Sequence, residues 1–286
     1  MKPVYIVSWL FALAISFVSC DDWLDKTPKD RLYPDVYFKT EDELRLFTNQ
    51  FYNNLVPSAV DIYSESSDLI VKSDLMLEMS GQRIIPDEGN GWNFTALRDI
   101  NFYLQYSHNC TEVNARNRYD GVARFFRAYF YFEKVKRYGD IPWYDKALDS
   151  DDPELYKARD SREFVMQKML EDLDFAIANL PKTKNAYVLT RWTALALKSR
   201  VCLFEGTFRK YHGLEDYEKY LNACVSASET FMNESGYTLY KSGSTPYRDL
   251  FASINLQADE VIFGRDFLCF IMCRIMRTPP QWDVRE

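Results

Sequence analysis

Two segments of the chain, residues 123–132 and 194–203, repeat one pattern of side chains, and this repeat limits the folds that are possible. Small, basic and large apolar residues recur in the same register, in the pairs Ala123 and Ala194, Arg127 and Lys198, Ala128 and Ser199, and Phe132 and Leu203. The offset of 71 residues is close to two tetratricopeptide units of about 34 residues, each a pair of helices. Small residues permit close approach where helices cross. The repeat predicts a scaffold of helix pairs, unless two amphipathic helices match by chance.

Further helices are predicted where apolar residues recur at helical spacing between glycine, proline and aspartate breakers. The predicted segments are 40–55, 92–116, 119–138, 161–180, 190–211 and 214–233. Thr40 precedes three acidic residues and predicts a helix start, because an N-cap hydroxyl and first-turn carboxylates satisfy free amide groups. Short strands are predicted at 237–240 and 260–263, and an irregular loop at 57–91. The predicted fold class is mainly α, a tetratricopeptide-like helix-pair scaffold with irregular loops and a few short strands.

The first residues have the layout of an export signal. Lys2 precedes an apolar run from Val4 to Val18, which is shorter than the roughly 20 residues that span a bilayer. Phe17-Val18-Ser19-Cys20 resembles a bacterial lipobox, with Phe17 where leucine is usual. A cysteine that carries two or more acyl chains is a lasting membrane anchor. The sequence predicts a lipoprotein signal peptide at 1–19 and lipidation at Cys20; the alternative is a secreted protein with Cys20 in a disulfide.

Charge and cysteine content argue against several functional classes. The formal net charge is −7 and the basic residues are scattered, so neither a nucleic-acid-binding stripe nor a polybasic membrane patch is visible. Beyond Cys20 the cysteines are odd in number and irregularly spaced, at 110, 202, 224, 269 and 273, which is no disulfide framework. Cys269 and Cys273 lack histidine or acidic neighbours for a metal site. We therefore expect no nucleic-acid partner and no metal cofactor.

No catalytic arrangement emerges from the chemically active residues. His108 and His212 lie on different predicted elements, and no nucleophile motif surrounds either one. The carboxylates of residues 149–154 are typical of a solvated loop rather than of an acid/base pair in an apolar pocket. These observations predict a protein that is not an enzyme and has no cofactor.

A possible carbohydrate site lies where the irregular loop meets the second predicted helix. Trp92 and Asn93 stand at this junction, near Arg83. An exposed aromatic plane with amide and guanidinium neighbours suits sugar binding, because sugar C–H faces stack on the ring while hydroxyls bind the polar groups. Alternatively, Trp92 anchors the loop onto the helices, since most tryptophans are packing residues.

Several segments, in this order, together resemble the SusD/RagB-like family of surface glycan-binding lipoproteins. They are CDDWLDKTP at 20–28, VYFKTEDEL at 36–44, ARFFRAYFYF at 123–132 with YGDIPW at 138–143, and TRWTALALKSRV at 190–201. The resemblance spans residues 1 to about 265. It implies a lipidated arm at 20–39, a SusD-like helical domain at 40–265 and an atypical tail at 266–286.

The resemblance also implies a function. Such proteins capture oligosaccharides at the outer face of the outer membrane, without catalysis, and pass them to a TonB-dependent SusC-like transporter on which they sit as a hinged lid. The acidic residues after Cys20 resemble a surface-export signal, and Trp92 and Asn93 correspond to glycan-binding positions. The alternatives are a lipid-anchored tetratricopeptide adaptor that binds only proteins, and a non-functional truncated family member.

The C-terminal segment departs from the family pattern. The resemblance implies members of roughly twice this length, so it covers only their N-terminal portion. Residues 267–276 form an apolar block too short to span a bilayer. A truncation or frameshift after about residue 265 is the expectation, and it would remove part of the glycan-binding face and uncover apolar surface.

Overall fold

The computed structural model describes residues 37–56, 80–82, 84, 91–252 and 259–264. The chain divides into two units, 1–37 and 38–286, and the helices described here all belong to the second. The predicted signal peptide, the lipidation site Cys20 and the tail 266–286 lie outside the described residues, as do Arg83 and most of the predicted loop 57–91.

The described residues form seven α-helices and two 3-10 turns, which confirms the mainly α prediction. The helices are α1 (Glu41–Leu55), α2 (Thr95–Tyr106), α3 (Val113–Tyr138), α4 (Arg162–Asn179), α5 (Arg191–Tyr211), α6 (Tyr217–Glu234) and α7 (Pro246–Ala252). The 3-10 turns are Ser107–Asn109 and Pro153–Tyr156. Within these described parts, no helix combines the length and hydrophobicity that crossing a bilayer requires.

Side-chain caps begin three of the helices. The Thr40 hydroxyl accepts a hydrogen bond from the Glu43 amide at 3.3 Å, and the Glu43 carboxylate accepts one from the Thr40 amide at 3.2 Å. This capping box confirms the predicted start of α1. Ser161 caps α4 through the Phe164 amide, and Thr190 caps α5 in the same way. Each cap satisfies an amide that the first helical turn leaves free.

The predicted break between residues 116 and 119 is wrong, because the chain leaves the helix earlier. α2 ends at Tyr106 and tightens into the 3-10 turn, after which Cys110 is fully buried in an extended conformation. The Cys110 amide donates to the Ser107 carbonyl at 3.1 Å, a 3-10 bond rather than an α-helical one, and α3 begins at Val113. The start predicted for α6 at Leu214 is also too early, since the helix begins at Tyr217.

The two predicted short strands are not present in the described residues. The Thr238 amide donates to the Asp259 carbonyl at 2.9 Å, which brings segments 237–240 and 260–263 together at one point. The Tyr240 amide instead donates to the Glu260 carboxylate at 2.6 Å. Because a side chain takes this amide, the backbone ladder that defines a strand pair does not continue.

The helices pack as the pairs α3/α4 and α5/α6, with α4 against α5, as the repeat predicts. Ala123, Ala128 and Ala194 are completely buried at the repeated small positions. In the second pair, a Cβ added to Gly206 would lie 2.7 Å from a Leu221 methyl carbon, so only glycine allows α5 and α6 to approach this closely.

The aligned basic residues of the repeat also have equivalent partners. Arg127 on α3 pairs with Asp172, and Lys198 on α5 pairs with Asp174, so both bind the intervening helix α4. The Arg127 pair is buried, whereas the Asp174 side chain is 57% exposed. The repeat therefore corresponds to a shared position in two successive helix pairs.

An aromatic cluster packs α1 and α2 against α3. Phe38 lies edge-on to Phe47 and Tyr103, with ring centroids 5.0 and 5.5 Å apart. Phe51 contacts Tyr103 and Phe126 in the same manner, at 6.2 and 6.1 Å. Full burial of one such side chain stabilises a fold by about 1.5–3 kcal/mol, and edge-on rings add to this. α2 is thus held where its N-terminal half can form one wall of a cavity.

Candidate functional site

A cavity of about 550 Å³ lies between the start of α2 and the loop 139–161 that joins α3 to α4. Its aromatic lining comes from Trp92, Phe94 and Tyr144, and a second group of lining residues is basic. The basic residues are Arg98, Lys146, Lys157 and Arg159. The cavity therefore combines ring surfaces with hydrogen-bond donors.

Trp92 is both packed and accessible. Its ring lies edge-on to Phe94 and Tyr138, with centroids 5.3 and 4.9 Å apart. The Arg159 guanidinium carbon lies 5.0 Å from the indole centroid, in a cation–π contact. The residue nevertheless remains 39% exposed. The geometry thus contains elements of both sequence interpretations: Trp92 anchors the chain before α2 and also lines the cavity.

The Asn93 side chain forms a local hydrogen bond that was not predicted from the sequence. Its side-chain oxygen accepts a hydrogen bond from the Thr95 amide at 2.8 Å, which helps to begin α2. Asn93 is exposed but is not among the residues that line the cavity. The structure therefore brings Trp92, but not Asn93, to this cavity, and Arg83 lies outside the described residues.

Buried contacts hold the cavity loop against α3. The Tyr131 hydroxyl accepts a hydrogen bond from the Tyr144 amide at 2.7 Å and donates to the Pro142 carbonyl at 3.3 Å. The Trp143 ring stacks on Tyr131 at 4.3 Å. Burial raises the pKa of Tyr131, so its hydroxyl stays protonated and can donate across the physiological range.

Asn101 links the same loop to the helix pairs. Its amide nitrogen donates to the Tyr144 carbonyl at 2.8 Å, and its oxygen accepts from Arg127 at 3.2 Å. Arg127 in turn donates to both Asp172 oxygens, at 2.6 and 2.7 Å. Burial acts to lower the pKa of Arg127, but the hydrogen bonds and charge of Asp172 outweigh it and raise the pKa. A continuous polar chain therefore connects α4 to the cavity wall.

The two lysines of the cavity already have carboxylate partners. Lys146 lies 2.9 Å from a Glu154 oxygen, and hydrogen bonding to this carboxylate raises the lysine pKa. Lys157 lies 2.9 Å from an Asp160 oxygen and also donates to the Trp143 carbonyl at 2.6 Å. The two lysines thus stabilise the loop. Glu154, one of the carboxylates predicted to be solvated, takes part in one of these ion pairs.

The two arginines of the cavity differ from the lysines. Arg98 donates through Nε to the Leu148 carbonyl at 3.2 Å, and Arg159 contacts the Trp92 ring. Neither forms an ion pair with any residue that the structure describes. Sequence reasoning missed both arginines, because no local motif marks them and only the folded loop brings them together.

Each histidine side chain forms a hydrogen bond with a backbone carbonyl three or four residues earlier in the chain. His108 Nδ1 donates to the Gln105 carbonyl at 2.8 Å, and His212 Nδ1 donates to the Phe208 carbonyl at 2.7 Å. The His212 ring also stacks on Phe208 at 4.1 Å. Across the described ranges, no group of three or more histidine, cysteine or acidic residues could hold a metal ion.

A second cavity of about 420 Å³ lies between α3, α5 and residues 260–263. Apolar side chains dominate its lining, among them Phe125, Phe126, Leu197, Ile262 and Phe263. Its described lining residues also include Tyr129, Thr193, Arg200 and Glu260, but they contain one basic residue where the first cavity has four, and no tryptophan. The cavity beside Trp92 is therefore the better candidate for a polar ligand.

Residues 62–191 match a SusD-like family that is described as starch-binding and associating with the outer membrane. Among curated proteins, the SusD-like proteins P25 and P38 of Formosa agariphila match with 20% and 24% identity. The chain is similar to SusD-like proteins over most of its length. The alignments cover 93% and 88% of this chain but 52% and 50% of those proteins. The chain thus spans about half the length of the curated relatives it matches.

Solved structures support the fold. A SusD-like protein from Bacteroides fragilis superposes with a TM-score of 0.61 at 22% identity, over 83% of this chain and 47% of that one. A SusD-like carbohydrate-binding protein from Bacteroides vulgatus gives a TM-score of 0.53 at 15% identity, over 71% and 47% of the two chains. The predicted fold class is confirmed, and the comparisons support the resemblance to SusD-like proteins.

Proposed function

We propose that this chain binds oligosaccharides in the cavity beside Trp92. The partly exposed indole beside a donor-rich cavity is the observation that carries the proposal. A sugar ring can stack its C–H face on an indole while its hydroxyls bind nearby polar groups. The volume of about 550 Å³ lies within the roughly 300–1,000 Å³ of small-molecule sites. The carbohydrate-binding description of the family supports the same conclusion.

The cavity is suited to binding rather than to glycoside hydrolysis. Most glycosidases place two carboxyl groups on either side of the bond that is cut, about 5–9.5 Å apart. Among the described residues that line the cavity, none is an aspartate or glutamate. We therefore propose a non-catalytic role, in which the site captures the sugar and releases it unchanged.

Titration calorimetry of the full chain against a library of plant, algal and host oligosaccharides tests the glycan proposal. Trp92→Ala should weaken binding about five-fold or more, since stacking on an aromatic plane contributes on the order of 1–3 kcal/mol. Tyr156→Ala is the matched control, because Tyr156 is 85% exposed on the same loop but does not line the cavity. Absence of binding to every oligosaccharide, or equal binding by the Trp92→Ala variant, contradicts the proposal.

We further propose that the chain is anchored by lipid at Cys20, faces outward from the outer membrane and passes its ligand to a TonB-dependent SusC-like transporter. The lipobox-like segment 17–20 supports the anchor, and the outer-membrane association of the family supports the location. Membrane fractionation and intact-mass measurement of wild type and Cys20→Ala test this: the variant should lose the acyl mass and leave the membrane. Co-purification of a transporter by a chain without sugar affinity would instead favour a protein-binding adaptor.

A further inference from the structure

We propose that the oligosaccharide bound beside Trp92 carries a negative charge, as a uronic acid carboxylate or a sulfate ester, and that Arg98 and Arg159 bind this group. The inference rests on the proposed glycan function and adds the chemical class of the ligand. It follows from the charge of the cavity, from the partners of each basic residue and from the contact between Arg159 and the indole.

The cavity is positively charged within an acidic protein. The full chain has 42 acidic and 35 basic residues and a formal net charge of −7. Four lining residues of the cavity are basic, and no described lining residue is acidic. A cleft lined by one sign of charge concentrates ligands of the opposite sign. The local charge therefore favours anionic ligands although the whole protein repels them.

The two arginines carry the charge that remains available. Lys146 and Lys157 are neutralised by Glu154 and Asp160 on the same loop. Arg98 uses Nε for a backbone carbonyl, while its terminal nitrogens have no hydrogen-bond partner among the described residues. A guanidinium presents two parallel N–H donors that can bind both oxygens of a carboxylate or sulfate. A lysine ammonium lacks this paired arrangement.

Arg159 lies beside the Trp92 ring, so one ligand can contact both side chains. Its guanidinium lies 5.0 Å from the centroid of the Trp92 ring, and both residues are exposed. A sugar that stacks on the indole would hold an acidic substituent within reach of this guanidinium. A neutral sugar in the same place would offer only hydroxyl oxygens, whose hydrogen bonds to a guanidinium are weaker than those of a carboxylate or sulfate. The site should therefore discriminate against uncharged oligosaccharides.

Matched ligand pairs test the proposal by titration calorimetry with the full chain. One arm compares uronic-acid oligosaccharides with their carboxyl-reduced forms, and the other compares sulfated oligosaccharides with their desulfated forms. In at least one arm the charged member should bind about ten-fold more tightly or better, and the preference should shrink at about 1 M salt, where exposed charges are screened. Arg98→Gln and Arg159→Gln should each reduce the preference, and the double variant should abolish it.

Arg248→Gln is the matched control, because it removes the same charge from an exposed position on α7, outside the cavity. Circular dichroism checks that all variants are folded. If neutral members bind as tightly as charged ones, the proposed charge selectivity is overturned while the glycan function stands. If no member of any pair binds but another oligosaccharide of the library does, only the charge proposal is overturned; if nothing in the library binds either, both are overturned. The arm that shows the preference identifies the carboxylate or the sulfate as the recognised group.

Discussion

Replacing Asp172 by asparagine should destabilise the fold far more than the same change at Asp174, two residues along α4. Asp172 accepts from Arg127 at 2.6 and 2.7 Å, and the two side chains are 3% and 8% exposed. Asparagine keeps the volume but removes the charge and one acceptor oxygen. Because the guanidinium cannot lose its proton, it stays charged inside the α3/α4 pair without the carboxylate that pairs with it.

The magnitudes follow from the two environments. Loss of one partner from a buried ion pair costs about 3–5 kcal/mol. Asp174 pairs with Lys198, the residue that aligns with Arg127 in the repeat, but the Asp174 side chain is 57% exposed. Exposed pairs contribute about 0–1 kcal/mol, because water and salt compete for both charges. The two substitutions should therefore differ by at least about 2 kcal/mol in the free energy of unfolding.

Urea unfolding at neutral pH, followed by circular dichroism, measures both variants against the parent chain. The linear dependence of the unfolding free energy on urea gives the difference directly when the slopes agree. Equal losses below about 1 kcal/mol for both variants would refute the reasoning, since they would show that Arg127 does not depend on Asp172 for its charge balance. A loss of sugar affinity in Asp172→Asn alone would further support the chain from Arg127 to the cavity loop.

Three further predictions concern packing, pH and thiol reactivity. Gly206→Ala should cost about 1–3 kcal/mol in urea unfolding, because the new methyl group would lie 2.7 Å from Leu221. Gly121→Ala should be close to neutral, since its nearest neighbour would be 3.4 Å away and alanine favours a helix. Burial raises the pKa of Asp120, so the folded protein binds more protons than the unfolded chain and stability falls as the pH rises above about 4. Asp120→Asn should thus stabilise more at pH 7 than at pH 4 in the same assay, and an equal effect at both would contradict this. Burial raises the pKa of Cys202 to about 12, so iodoacetamide at about pH 8 should label its peptide only after denaturation, as mass spectrometry can show.

The scaffold could be predicted because its determinants are local or periodic. Thr40 and Glu43 lie one helical turn apart, so the capping box that they form is visible in the sequence itself. The small residues Ala123 and Ala194 recur at a fixed offset of 71 residues, and both are fully buried in helices that pack as two pairs. The break at Cys110 was not predictable in the same way, since no glycine or proline marks the 3-10 turn that precedes it.

The cavity depends on contacts between residues far apart in the chain. Arg98 and Arg159 are separated by a helix of 26 residues and meet only because the loop after α3 folds back onto α2. Trp92 could be singled out from its residue type and position, but the residues that surround it could not. Asn93 shows the converse, because a residue type suited to sugar binding instead accepts a hydrogen bond from the Thr95 amide just before α2.

The polar chain from Asp172 to the loop explains how a helical repeat can support an irregular binding surface. A loop without regular structure leaves backbone carbonyls that need donors, and Asn101 supplies donors to those of Tyr144 and Lys146. Asn101 is itself oriented by Arg127, whose position the buried ion pair determines. Because each group satisfies the next, removal of any one leaves a buried polar atom unpaired. Arg127 therefore pairs with α4, as Lys198 does, and also positions the wall of the candidate glycan site.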